Sequence, residues 1–411
     1  MVTKYDVFEY VYRKGGPIKP QEVSRAFRHI AYHGIYAMLQ ELKKQGLLAK
    51  NAYGFQANMN PKNDRLFRLI GFCLKNDLNY NELLDKNLAA FISGAFLKKR
   101  ITVKDVNADP RTFSKYVQIL SKDGLALRVS KKPLVVAIPY NSFLRDLVAY
   151  FGQNTLVAKA RFDEYLDEID KELRIFRRLR SANEARYQTI VDEYEIRFTH
   201  HSLSLEGNPI TLPDTRKLLK EHIVPSAYST ESVQEVQNYQ KAIAQMTKDA
   251  EALRPITRDS ILNYHQLAMA HRPLIAGKVR SVPVMIRGNP DFSVAEVSEI
   301  EPQLAALLQE YNQFFAKKKQ PLKAVLAFSS RFHNEFQHIH PFEDGNSRTT
   351  RLITFHLLRT QNIPLLDIPL GLLEEYIFST KGATKRDDKK LGQVFQQIIL
   401  YNLKAINEKL S

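Results

Sequence analysis

The chain has 411 residues and a mass of 47.4 kDa, with 44% apolar and 25% charged residues. At roughly 100–200 residues per domain this predicts two to four folded domains and excludes wholesale disorder. The single cysteine, Cys73, excludes an internal disulfide and a multi-cysteine zinc site and predicts a reduced, cytosolic protein. The net charge of +16 is uneven: residues 1–150 hold 25 basic and 12 acidic residues, net +13, and residues 151–411 hold 35 and 32, net +3. A basic front half of this kind predicts a polyanionic partner, with a solvated surface as the plain alternative. The longest greasy stretch, near residues 87–97, covers about 11 residues against the ~20 that cross a bilayer, so no membrane association is expected.

Residues 1–58 read as helix, helix, helix, hairpin. Val7, Phe8, Val11 and Tyr12 take helical spacing over 6–13, and Gly15-Gly16-Pro17 ends that helix. A short helix is predicted over 20–29. A third is predicted over 31–45, where Ile35, Met38, Leu39 and Leu42 fall at i, i+3, i+4 and i+7. Gly46-Leu47-Leu48-Ala49 then turns through Asn51-Ala52-Tyr53-Gly54 into Phe55. This order resembles a winged helix-turn-helix, a fold whose third helix can enter a major groove. The resemblance implies Arg28, His29, His33, Lys43 and Lys44 as contacts to double-stranded DNA, although winged helices also dock proteins.

Residues 59–141 repeat the plan as a second winged-helix-like module. Helices are predicted over 64–75, 81–97 and 110–122, followed by a hairpin over 129–138 whose tip carries Lys131 and Lys132, two further candidate DNA contacts. Tyr140-Asn141-Ser142 is the predicted boundary. From 142 to 411 the pattern is mainly helical, with a charged, solvent-facing helix pair over 162–197. His200-His201 are placed on a helix surface or near the turn that follows. Within this helical half, Ala276 to Gly288 alternates between two glycines and predicts a short β-hairpin. Lys317-Lys318-Lys319 and Asp387-Asp388 read as solvated ends and turns.

The residues with the most pointed chemistry lie between two amphipathic helices, in His340-Pro341-Phe342-Glu343-Asp344-Gly345-Asn346-Ser347-Arg348-Thr349-Thr350-Arg351. Gly345-Asn346 at a helix N-terminus can offer backbone N–H groups to an anion. Arg348 and Arg351 fall at i and i+3 on one side of the new helix. Asp344 beside an anion site predicts a divalent cation, and His340 can take a proton near neutral pH. The sum is a phosphate cradle with a metal ligand and a base. A zinc cluster of His333, His338 and His340 lacks a fourth ligand.

This segment resembles the signature of the Fic family, His-x-Phe-x-(Asp/Glu)-Gly-Asn-Gly-Arg-x-x-Arg. It departs from it only at Ser347, where the family has glycine. The resemblance implies a helical Fic domain over 142–411 that transfers AMP from ATP to a hydroxyl of a target protein or of itself. It implies His340 as general base and Asp344 as the Mg²⁺ ligand. Gly345, Asn346 and Ser347 would form the anion hole, with Arg348 and Arg351 on the β- and γ-phosphates. Residues 280–288, with Val282, Val284 and Ile286, resemble the family's target-aligning flap. Ser347 leaves the choice of nucleotide open, because a Cβ stands where backbone conformation or close approach can require glycine.

Upstream, Ser202-Leu203-Ser204-Leu205-Glu206-Gly207 resembles the inhibitory-helix motif of the class with that helix N-terminal to the core. It implies that Glu206 pairs with Arg351 in the γ-phosphate position. In some relatives the same glutamate positions water to remove AMP, so de-AMPylation is a further expectation. The alternative from another class is a DNA-binding regulator whose Fic domain only binds or senses nucleotide. A homodimer stays open.

Overall fold

The computed structural model describes residues 2–98, 100–153, 155, 164–286, 289–316, 320–380 and 386–411. The chain divides into two units, Met1–Ile119 with Ser142–Ala158, and Leu120–Asn141 with Lys159–Ser411. The first holds 21 basic and 11 acidic residues, net +10.

In the first unit the expected helix–helix–helix–hairpin order is present. Helix α1 (Lys4–Lys14) starts at a Thr3/Asp6 capping box and stops at Gly15 in the left-handed region, and it buries Val7, Phe8 and Val11. Helices α2 (Pro20–Ala26) and α3 (Tyr32–Lys44) follow, with Ile35, Leu39 and Leu42 of α3 buried. Strands β1 (Leu48–Asn51) and β2 (Gly54–Ala57) pair antiparallel, and Ile18 bridges Phe55 on the outer side. Gly54 is required there: at φ +142° any Cβ would lie 2.3 Å from the Ile18 carbonyl oxygen. Next come α4 (Pro61–Lys75), α5 (Tyr80–Leu83), α6 (Lys86–Ala95), α7 (Pro110–Lys122), which runs across the unit boundary, and α8 (Ser142–Tyr150). The single helix expected over 81–97 is two, because the Asp85 carboxylate accepts from the Leu88 N–H and restarts the helix there.

The second unit begins with the hairpin β3 (Leu127–Lys131) and β4 (Leu134–Ala137). This hairpin does not stay with the module expected over 59–141. Val129 and Ala137 join the core of the helical unit, and Arg128 and Lys131 both pair with Glu408. Helices α9 (Leu166–Ala182), α10 (Glu184–Ser204), α11 (Leu212–Arg216), α12 (Thr230–Glu251), α13 (Arg258–Ala268), α14 (Ile300–Phe315), α15 (Leu322–Ile339), α16 (Asn346–Thr360), α17 (Leu373–Phe378) and α18 (Asp388–Leu410) complete it. The charged pair expected over 162–197 is α9 and α10, but each buries a full face, with Ile169, Leu173 and Phe176 on one and Tyr187, Ile190 and Tyr194 on the other. Asp387 and Asp388 do not form a loose turn. The Asp387 carboxylate accepts from the Lys390 N–H and caps α18. The lysine run 317–319 lies outside the described residues.

Helix α16 is the centre of this unit. It packs against α12, α13 and α15, and every residue from Asn346 to Arg359 is buried. Burying polar residues costs free energy unless they are bonded. Here Thr349 and Thr350 bond back to the Gly345 and Asn346 carbonyls, at 3.0 and 2.7 Å. The expected β-hairpin over 276–288 is absent among the described residues, and the segment runs without a ladder. Pro283 lacks a donor, and the Arg280 guanidinium takes the carbonyls of Val282, Ala295 and His340 instead. No described helix is long and apolar enough to cross a membrane.

Candidate functional site

The site is built on the loop between α15 and α16. His340 ends α15 in the left-handed region, φ +48°, and Gly345 does the same before α16, φ +79°. Such a bend costs a histidine about 1–2 kcal/mol, so the surroundings must hold it. The Arg280 Nε donates to the His340 carbonyl at 2.7 Å and the Arg280 N–H to the Pro341 carbonyl at 2.8 Å. Asn346 clamps the inside of the loop: its Oδ1 accepts from the Phe342 N–H at 2.9 Å and its Nδ2 donates to the Phe342 carbonyl at 2.7 Å. Phe342 is fully buried. Gly345 has no room for a side chain, since a Cβ would meet Met269 Sδ at 2.8 Å.

His265 carries the other side of the loop. Its ring stacks on Phe342, with centroids 3.7 Å apart. Its Nδ1 accepts from the Gly277 N–H at 2.9 Å, so Nε2 carries the proton and donates to the Asp344 carbonyl at 2.9 Å. Burial pushes its pKa down to about 4. A neutral imidazole is therefore part of the loop's frame.

His340 itself is buried, and its Nδ1 lies 3.1 Å from the Gln337 carbonyl. A carbonyl only accepts, so Nδ1 bears the hydrogen and the lone pair of the neutral ring is on Nε2. Asp344 is half-buried in the loop. Its Oδ1 accepts from the Gly345 N–H at 2.6 Å and from Arg348 at 3.0 Å, and its Oδ2 from Arg272 at 2.6 Å. Burial alone would raise its pKa, but Arg348, the Gly345 N–H and Arg272 together hold it below the ordinary carboxylate value.

Behind the loop, the two arginines of α16 reach opposite ends of one polar chain. Arg351 has a side chain 1% exposed. Its Nε donates to Ser202 Oγ at 2.5 Å, and its Nη2 to the Ser202 carbonyl at 3.1 Å and Glu206 Oε1 at 2.9 Å. Ser202 Oγ in turn donates to the Tyr239 hydroxyl, which donates to the Arg348 carbonyl. Arg348 pairs with Glu235, whose other oxygen accepts from Asn208 at 2.7 Å. Gly207, φ +94°, makes the turn that lets Glu206 and Asn208 face both arginines.

The structure thus brings together His340, Asp344, Gly345, Asn346, Ser347, Arg348, Arg351, Ser202, Glu206 and Gly207. Ser347 lies inside α16 with helical backbone, so its Cβ needs no left-handed conformation and the backbone ground for glycine there falls away. His200 and His201 are buried in α10, not on its surface. Val282 is exposed, Val284 and Ile286 half-buried, while residues 287–288 lie outside the described residues. Arg28, His33, Lys43 and Lys44 are exposed in the first unit; Lys131 and Lys132 are exposed in the second, Lys131 on Glu408. His265, Arg272, Arg280, Glu235 and Tyr239 carry no local motif, because each reaches the loop from a distant segment.

Residues 255–358 match the Fic/DOC family. Over 281 residues the chain is 24% identical to the protein adenylyltransferase Fic of Drosophila mojavensis, covering 66% of this chain and 54% of that protein. Over 341 residues it is 23% identical to that of Drosophila virilis, covering 75% and 68%. The chain therefore spans only about half the length of the first of these relatives. A crystal structure of a Fic domain containing signaling protein from Bacteroides thetaiotaomicron superposes with a TM-score of 0.52 at 19% identity, over 59% of this chain and 97% of that one, which is a likeness of fold.

The frame around His265 makes a pH prediction. Its folded pKa is depressed, so the unfolded chain binds the extra proton more readily between about pH 6.5 and about pH 4. The stability it contributes is complete above that window and is lost as pH falls through it, by roughly 2–4 kcal/mol. Urea unfolding at pH 7.5 and pH 5 checks this: His265→Gln should lose clearly less stability between the two than the unsubstituted chain, and equal losses would remove His265 as the cause.

Proposed function

We propose that this chain, whose residues 255–358 are a Fic/DOC-family domain, is a protein adenylyltransferase held off by its own helix α10. It would move AMP from ATP to a hydroxyl of a target protein or of itself. The observation that carries the reading is the occupation of Arg351 by Ser202 and Glu206 beside an otherwise complete set of His340, Asp344 and helix N–H groups. A buried guanidinium needs an anion, and the Glu206 carboxylate stands where a triphosphate oxygen would compete for it.

The chemistry follows from the atoms present. A target hydroxyl attacks the α-phosphorus, a new P–O bond forms, and the bond to the β-phosphate oxygen breaks, releasing pyrophosphate. The hydroxyl proton passes to His340 Nε2, a general-base contribution of about 10²–10⁴-fold. The first N–H groups of α16, from Asn346, Ser347 and Arg348, have no partner within the helix and cradle phosphate oxygens. Arg348 and Arg351 take the β- and γ-phosphates once Glu206 withdraws. The site suits Mg²⁺: Asp344 supplies one carboxylate beside phosphate oxygens, the usual surroundings of that ion. When bound, Mg²⁺ would offset charge on the α- and β-phosphates. Val282, Val284 and Ile286 would line an extended target segment. Glu206, once turned from Arg351, could also orient water for AMP removal.

The basic first unit supports a second role, binding double-stranded DNA through Arg28, His33, Lys43 and Lys44, all exposed on a unit of net +10. The presence of both His340 and Asp344 favours an enzyme over a regulator that only senses nucleotide.

Glu206→Gly should raise self-adenylylation on the order of 100-fold at subsaturating ATP, since it frees Arg351. Labelled ATP with Mg²⁺ reads this directly, and equal labelling of both proteins would remove the inhibitory assignment. In that background His340→Ala should abolish transfer and leave ATP affinity unchanged, whereas Asp344→Ala should weaken Mg²⁺-dependent ATP binding roughly tenfold. Calorimetry giving the same affinity loss for both would contradict the separate roles. For DNA, fluorescence anisotropy at about 50 mM salt should show binding that weakens with a log–log slope near −0.9 per phosphate contacted. Lys43→Glu with Lys44→Glu should flatten that slope, and no binding at low salt would assign the first unit to a protein partner.

A further inference from the structure

The end of α10 and the turn after it are committed in two directions. Ser202 and Glu206 hold Arg351. One turn earlier, Arg197 and His201 hold a different residue, Asp367, which lies between α16 and α17 and contributes nothing to the catalytic loop. Arg197 Nε donates to Asp367 Oδ2 at 3.0 Å, and His201 Nδ1 lies 2.7 Å from Oδ1. The His201 and Asp367 side chains are each 1% exposed. Burial alone would raise the Asp367 carboxyl, but His201 and Arg197 hold it below the ordinary carboxylate range.

Asp367 is itself fixed in place. Its N–H donates to Asn402 Oδ1 at 3.1 Å, and its carbonyl accepts from Asn402 Nδ2 at 2.8 Å. Asn402 belongs to α18, and the same amide also donates to the Ile398 carbonyl at 2.7 Å. The carboxylate is thus presented at one point, and it grips α10 with both oxygens at positions four residues apart. A slip of α10 by one residue turns it by about 100° and shifts it by about 1.5 Å, which breaks both bonds at once. The same slip would carry Ser202 and Glu206 away from Arg351.

We infer that Asp367 is a positioning residue for the inhibitory helix, setting the register at which Ser202 and Glu206 meet Arg351. The inference rests on the proposed inhibitory role of Glu206. Asp367 touches neither the catalytic loop nor, in the proposed reaction, the nucleotide, so its effect on nucleotide binding passes through α10 alone.

The test compares Glu206→Gly, Asp367→Asn and the double variant in the full chain. Calorimetry reads affinity for ATP with Mg²⁺, and hydrogen–deuterium exchange reads residues 197–206. Asp367→Asn should tighten ATP binding about tenfold and speed exchange across 197–206. The double variant should bind ATP no more tightly than Glu206→Gly alone, because both changes release the same arginine. A purely structural Asp367 would lower the melting temperature and leave ATP affinity at or below its starting value; that outcome, with Glu206→Gly still tightening binding, overturns the inference and spares the inhibitory reading. If Glu206→Gly itself fails to tighten binding, the inhibitory reading is wrong and this inference goes with it. Should Asp367→Asn fail to fold, His201→Gln removes one arm of the grip and is read by the same two measurements, with unchanged affinity and exchange counting against the inference.

Discussion

A buried arginine must keep an anion, and the helical unit is arranged around that requirement at Arg351. Its side chain is almost wholly removed from water, so the cost of leaving it unpaired would be several kcal/mol. In the structure the partners are Ser202 at the end of α10 and Glu206 in the turn that follows it. In the proposed reaction the partner would come from the nucleotide. In the proposed reaction the two anions would compete for one guanidinium, because a charge buried this deeply is costly to leave unpaired. A chain of hydroxyls runs from Ser202 through Tyr239 to the Arg348 carbonyl and ties this network to the backbone of α16.

The reacting loop, by contrast, is built so as not to choose. Two left-handed residues, His340 and Gly345, bend it tightly enough to set a base and an acid beside one helix N-terminus. That conformation is held by Asn346 from inside, by the stacked and neutral His265 from one side, and by the Arg280 fork from the other. Preorganisation of this kind lets charge develop during reaction without the surroundings having to rearrange. In the proposed function the labour would divide physically: the bonds to Asn346, His265 and Arg280 would hold the groups that react, and the Glu206–Arg351 pair would control access to them.

The fork at His340, Val282 and Ala295 also explains why the described residues of 276–286 form no ladder. A hairpin satisfies its backbone by pairing strands. Here one buried guanidinium satisfies three carbonyls, and Pro283 removes a donor that a ladder would need. Alternation over 276–288 is real in the sequence, but burial follows it only at Val284 and Ile286, half-buried on either side of exposed Met285.

Local patterns in the sequence determined a good deal. Helical periodicity marked the main helices of the first unit and, in the second, α9, α10, α15 and α16, and Gly345-Asn346 marked the start of α16. The spacing of His340, Asp344, Arg348 and Arg351, and of Ser202 and Glu206, singled out residues that the fold brings together. These succeed because each depends on neighbours within a helical turn or a tight loop. Only the tertiary structure decided that Glu235 and Arg272 would occupy the charges of Arg348 and Asp344. It alone decided that His265 would be a neutral strut, that the Lys131 hairpin would join the helical unit, and that His200 and His201 would be buried. Those outcomes turn on pairings between residues far apart in the chain, and a charge or an imidazole takes its role from whatever distant group burial sets beside it.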